Sequence, residues 1–172
     1  MFLNFLKNFL LKRKLKNSLS NVTNNFSEDK IQTVGILIDE SYFNDRLGLI
    51  SELIENNIQK DNIKVLVYKD KIKKNDLFDC PTFSLKNCNW IGEIDGVEVN
   101  DFVNQKFDLL ISYYDIEKAA LLNVTQKTKA NFKVGFSTID KRLNHFMIKT
   151  VAEDYQLFIS ELFKYLKILN KI

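Results

Sequence analysis

Residues 33–39 read TVGILID, a short apolar run rich in β-branched side chains that ends on an acid. A run of that length, apolar without alternation, matches a strand covered on both faces. The same kind of run returns as NIKVLVY at 62–68, FDLLISY at 107–113 and FKVGF at 132–136. Between the first two lies Asp45 to Asn57, where Leu47, Ile50, Leu53 and Ile54 recur at helical spacing. Val97 to Asn104 and Ile116 to Lys127 read as further helices. Strands that alternate with helices imply right-handed crossovers and a mostly parallel sheet with helices on both faces. The expected body is therefore a single α/β domain over residues 31–172, a small Rossmann-like or flavodoxin-like three-layer sandwich. Its strand order is not legible in the pattern.

Outward from that frame the signals are more local. Thr82 to Ile94 suggests short strands around Phe83 and Trp90, with turns at Asn87 to Asn89 and at Asp95-Gly96. Glycine favours the second turn because it takes positive φ without steric cost. The last helix carries Tyr155, Phe158, Ile159, Leu162, Phe163, Leu166 and Leu169 on one stripe. Thr150 and Glu153 stand before it in a capping-box pattern, each side chain placed to satisfy the other's backbone N–H.

Charge is distributed unevenly along the 172 residues. Lys7, Lys12, Arg13, Lys14 and Lys16 fall in the first 16 positions, and no acid precedes Glu28. Of the 25 basic residues, 20 remain to face all 22 acids, so the excess of base belongs to the N-terminus. A basic segment on a near-neutral body suggests a tether rather than a nucleic-acid surface. Residues 2–16 read as an amphipathic helix with Phe2, Phe5, Leu6, Phe9 and Leu10 on one face, and the Asn- and Ser-rich stretch to Lys30 reads as a linker. Residues 1–30 are thus expected to form a basic helical arm and linker.

An apolar face with a basic cluster is what peripheral membrane binding requires. Each basic residue contributes about 1 kcal/mol at an anionic surface. The same face suits a groove on a protein, on this body or on another. Phosphates of rRNA would engage the bases but leave the apolar stripe unused. Docking on protein is the first expectation, an anionic membrane surface the second and nucleic acid the third. No stretch approaches the roughly 20 apolar residues of a membrane span, and the N-terminus lacks the order of a signal peptide. The expected location is the cytoplasm, with the inner-membrane surface as the alternative reached through the arm.

Few residues suggest chemistry. There is no glycine-rich phosphate loop of either common type. The first strand-to-helix turn reads DESYFND, acidic where a phosphate cradle needs glycines. Cys80 and Cys88 are spaced C-x7-C and His145 is the single histidine, which matches no zinc pattern. Two cysteines fit a reduced compartment better than a disulfide framework. Arg13, Arg46 and Arg142 are the only arginines, too few for a reader of bases. Trp90 and the 14 Phe residues are expected to fill the core rather than form a stacking platform. Ligands of open parallel sheets bind beyond the strand C-termini. That rim offers Asp39, Glu40, Asp115 and Ser137 as candidate ligand-binding residues. Asp39, Glu40 and Asp115 would hold Mg²⁺ only if their strand ends were neighbours; a solvated acidic rim with a helix cap is the preferred expectation, with no cofactor and no metal.

Five segments carry a resemblance as a set: TVGILIDESYF (33–43), PTFSLKN (81–87), VNDFVNQKFDLLISYYD (99–115), KVGFSTIDKRLNHFMI (133–148) and LFKYLKILNK (162–171). Together they resemble an uncharacterised family of Bacteroidota proteins of similar length, classed as a domain of unknown function. The resemblance implies a bacterial, cytoplasmic protein and brings no activity with it. A second, local likeness covers Phe107 to Phe136, which is similar to a strand–helix–strand unit in the acceptor half of heptosyltransferase-type glycosyltransferases. It implies a stripped relative without donor binding, and no catalytic residue carries over. The expected function is a non-enzymatic binding or adaptor protein whose body engages a partner and whose arm docks. The alternative is a small enzyme or degenerate transferase that binds a small ligand at the rim.

Overall fold

All six residues of β1 (Val34–Asp39) are buried, and the rest of the sheet is built outward from this strand. The computed structural model describes residues 2–22, 30–73, 75–89 and 93–172. Within them β1 lies between β2 (Ile63–Tyr68) and β4 (Lys106–Tyr113). Beyond β2 runs β3 (Thr82–Phe83), and beyond β4 run β5 (Lys129–Phe136) and β6 (Phe146–Ile148). Every pairing is parallel, in the order β3-β2-β1-β4-β5-β6. This is the doubly wound Rossmann order, in which the two halves leave β1 and β4 in opposite directions.

Handedness then assigns the layers. The β1-to-β2 crossover carries α2 (Arg46–Glu55), and the β4-to-β5 crossover carries α4 (Ala119–Lys127). The two step in opposite directions across the sheet, so right-handed connections place these helices on opposite faces. The final helix, α5 (Tyr155–Ile168), packs beside α2. Helix α3 (Val97–Asn104) returns the chain from β3 to β4 and packs beside α4. Under α2 and α5 the core is aromatic. Tyr113 meets Phe43, Phe136 and Phe158 at ring separations of 4.8, 5.1 and 5.1 Å, and its hydroxyl donates to the Ala152 carbonyl at 2.7 Å.

A carboxylate fastens the entry to β1. Asp108 Oδ2 accepts from Thr33 N and Thr33 Oγ1, both at 2.9 Å, and from Gln32 N at 3.1 Å. Burial works against the charged form, but these hydrogen bonds prevail and hold the carboxyl below its ordinary range. Nearby, a Cβ on Gly35 would lie 2.8 Å from the Phe107 ring, so glycine is what lets that ring lie against β1.

Helix α1 (Phe2–Ser18) extends the expected helix by two residues and is not a free arm. It packs against α4 and the 3-10 turn at Leu85–Asn87. Leu11 and Leu15 enter the hydrophobic core. Gln126 Nε2 donates to the Ser18 carbonyl at 2.6 Å, and Val22 N donates to the Arg142 carbonyl at 3.0 Å. The chain between residues 19 and 22 therefore follows the body instead of leaving it. The remainder of the expected linker, residues 23–29, and Trp90 lie outside the described residues.

Other boundaries also differ from expectation. The cap of α5 is Asp154, whose side chain accepts from Leu157 N at 3.2 Å; the Thr150/Glu153 pair stands upstream of the helix. Strand β6 carries no signal in the sequence, because three residues are too few to show a period. At the predicted Asp95-Gly96 turn, Gly96 has φ of 147°, a conformation that side chains disfavour.

Two outcomes follow in urea unfolding. Leu11→Ala lowers stability by about 2–5 kcal/mol, as for other buried leucines; a free arm would leave the midpoint unchanged. Asp108→Asn costs about 1–3 kcal/mol near neutral pH. The contribution of Asp108 is complete above the unfolded carboxylate value of about 3.9 and fades as pH falls through its lower folded value. The variant therefore loses that part of the acid slope.

Candidate functional site

The switch point of the sheet lies at the C-terminal ends of β1 and β4, and a lysine fills it. Asp39 ends β1 and is buried. Its Oδ2 lies 2.6 Å from Lys118 Nζ, and its Oδ1 accepts from Ser41 N at 3.0 Å. Lys118 immediately precedes α4, which directs its side chain back over the strand ends. The same ammonium lies 2.8 Å from Asp70 Oδ2 and 4.5 and 5.0 Å from the ring centres of Tyr42 and Tyr68. Two carboxylates and two aromatic faces thus enclose one internal cation. Burial, reinforced by Asp70, raises the Tyr68 hydroxyl well above its ordinary range, so it remains a phenol.

Glu40 belongs to an adjoining network. Its Oε1 accepts from Arg46 Nη1 at 2.6 Å, and Lys69 Nζ lies 3.3 Å from its Oε2. Arg46 reaches onward to Asp79 Oδ2 at 2.5 Å and to Cys80 Sγ at 2.8 Å. Burial raises the thiols of Cys80 and Cys88, and both are free. Neither is set up as a thiolate nucleophile.

The four rim candidates engage different partners. Asp39 and Glu40 answer internal cations. Asp115 serves the other half of the sheet: its Oδ2 accepts from Ala152 N at 3.0 Å, and its carbonyl accepts from Thr138 Oγ1 at 2.7 Å. Ser137 is exposed and uses its backbone N–H on the Ile148 carbonyl at 2.9 Å. Although β1 and β4 are neighbours, no cluster of three metal-ligating side chains occurs among the described residues. Sequence reasoning missed Lys118 and Arg46 as the partners of these acids. Lys118 lies within the helix expected from Ile116, where one lysine carries no signal; the observed helix starts after it, at Ala119.

A second polar locus lies under the end of α4. Lys133, buried in mid-strand, donates to the Thr125 carbonyl at 2.6 Å and the Gln126 carbonyl at 3.4 Å. Burial pushes its ammonium down to about 8. A cation on the last carbonyls of a helix caps it and answers its dipole. His145 accepts from Lys133 N at 2.9 Å through Nδ1 and stacks on Phe132 at 5.7 Å. A cavity of about 280 Å³ opens beside them, lined by Gln126, Arg142 and Ser20–Val22 among others.

The predicted docking residues of α1 divide between its two sides. Leu6 and Leu10 are half-buried, while Phe5 and Phe9 are 70% and 53% exposed. Lys7 Nζ turns inward to the Lys86 carbonyl at 3.4 Å, and Lys14 is ion-paired with Glu93. Lys12 and Arg13 are exposed. The side chains of Phe2 and Lys16 lie outside the described residues.

Residues 7–169 match the model of a family of unknown function, DUF6913. The chain belongs to this family. The match begins inside α1 and ends at Leu169, just past α5, so it takes in the whole sheet. No curated protein and no solved structure matches the chain.

Removing the internal cation tests the rim. Lys118→Met leaves Asp39 buried without its counter-charge and lowers stability by about 3–5 kcal/mol; adding Asp39→Asn recovers most of the loss. A solvated, loosely held rim would show neither effect. Lys133 supplies a pH signature. Its folded value of about 8 lies below the unfolded lysine value, so the unfolded chain binds the extra proton above pH 8. Stability then gains a rising contribution between about pH 8 and 10. Lys133→Met lacks that contribution in paired urea titrations.

Proposed function

We propose that this protein is a non-enzymatic binding module, in which the α/β body holds α1 in place as a docking surface. The observation that carries the reading is the division of α1. Leu11 and Leu15 anchor it in the core, while Phe5, Phe9, Lys12 and Arg13 remain on the surface. A 17-residue helix free in water is marginal. Held on the body, it offers its outer face already ordered, which lowers the entropic cost of association. The closed ion-pair networks at the rim point the same way, since Lys118 already answers Asp39 and Asp70. Two free cysteines suit a reducing cytoplasm, which is the compartment this reading assigns.

A second reading, a small ligand bound at the rim, has one observation in its favour: Lys118 and Asp39 stand where doubly wound sheets bind ligands. An anionic ligand would then exchange with Asp70, the more exposed of the two carboxylates.

Crosslinked pull-down from native cells separates the two. Deleting residues 1–16 would remove Leu11 and Leu15 from the core, so point variants are the proper probe. Phe5→Ser with Phe9→Ser is expected to abolish the captured partner, and Asp70→Asn is expected to retain it. The opposite pattern would overturn the docking reading in favour of the rim.

A further inference from the structure

We infer that the outer side of α1, together with the exposed loop tip at Leu77–Phe78, lies on an anionic lipid surface. The inference rests on the docking role proposed for α1 and names its partner. Successive helix residues are turned by 100°, so Phe5, Phe9, Lys12 and Arg13 share one side of α1. Leu11 and Leu15 point the other way, into the core. The outer side therefore mixes apolar rings with cations, which is the composition of a helix lying in a membrane interface.

Charge selects the kind of surface. No acid occurs in α1. Lys14 is neutralised by Glu93 and Lys7 is turned toward the Lys86 carbonyl, while Lys12 and Arg13 are exposed. The surface presented is positive, so its complement is anionic. Nucleic acid would satisfy the cations, but it leaves two phenylalanines in water without a role.

The loop between β2 and β3 adds an independent observation. Leu77 is 98% exposed and Phe78 is 38% exposed. Lys71 and Lys73 lie in the same loop. Of its three acids, Asp70 and Asp79 are engaged by Lys118 and Arg46, and Asp76 accepts from Lys73 N at 2.8 Å. Lys86 links this loop to α1: its carbonyl accepts from Lys7, and its ammonium bonds the Ile72 carbonyl. Two separate elements, both touched by Lys86, thus expose apolar side chains in segments that also carry lysines. A groove on a partner protein would need to match both shapes, whereas a bilayer accepts separate protrusions at once. Long basic side chains suit it as well, since they reach the headgroups while neighbouring rings enter the acyl boundary.

The test is co-sedimentation of the full-length protein with vesicles of phosphatidylcholine alone and with about one third phosphatidylglycerol, and with circular dichroism to verify folding. Binding to the anionic vesicles and weakening in high salt are expected. Lys12→Gln with Arg13→Gln is expected to lower the partition coefficient about 25-fold, at roughly fivefold per charge. Phe9→Ser is expected to lower it about tenfold. Leu77→Ser, on a fully exposed tip that cannot disturb the core, is expected to weaken binding several-fold and controls for misfolding. Equal binding to both vesicle types would overturn the inference. So would rRNA binding that depends on Lys12 and Arg13 but not on Phe9. Absent vesicle binding with a protein still crosslinked through Phe5 and Phe9 would overturn the lipid partner and leave the docking role intact. Loss of both signals would overturn both.

Discussion

Everything in this molecule follows from the need to keep β1 dry on both faces. A parallel strand at the centre of a sheet has no solvent side, and all six residues of β1 are buried accordingly. Helices α2 and α5 cover one face. On the other, α3 and α4 are short helices of eight and nine residues, and α1 completes that layer by packing on α4 and the turn at Leu85–Asn87. Leu11 and Leu15 are thereby drawn into the core, and the basic segment becomes part of the fold.

That commitment has electrostatic consequences at both ends of α4. At the C-terminal ends of the strands, Asp39 is buried by the same packing that buries β1, and a buried carboxylate requires a partner. Lys118 supplies it from the start of α4, while Arg46 and Lys69 answer Glu40. At the crevice that a doubly wound sheet opens between β1 and β4, the chain's own charges answer one another. Under the other end of α4, Lys133 caps the helix through the carbonyls of Thr125 and Gln126. One helix is thus held at each end by a lysine, one paired to acids and one buried on carbonyls.

The strand runs and most helices were legible because local patterning and tertiary burial agree there. TVGILID, NIKVLVY and FDLLISY are short, mostly apolar runs without strict alternation, the pattern of a covered strand. Val97–Asn104 was read at its observed bounds. Where local signals competed, they misled: Thr150 and Glu153 have the spacing of a capping box, yet Asp154 lies nearer the first buried turn of α5 and takes the cap. Strand β6 exists because β5 offers it an edge, not because FMI has a period of its own. The apolar side of α1 was ambiguous in principle. Phe5, Leu6, Phe9, Leu10, Leu11 and Leu15 surround much of the helix, so spacing alone does not say which stripe faces inward.

By itself, then, the sequence determined the α/β class, the parallel sheet and the concentration of base at the N-terminus, since each is written in short-range pattern and composition. The tertiary structure alone decided the strand order, the pairing of Asp39 with Lys118, and the choice of Leu11 and Leu15 over Phe5 and Phe9 as the buried side of α1. These depend on contacts between residues far apart in the chain, such as 79 positions from Asp39 to Lys118. No local period records which distant surfaces will meet; only the packed sheet, with both faces to cover, brings them together.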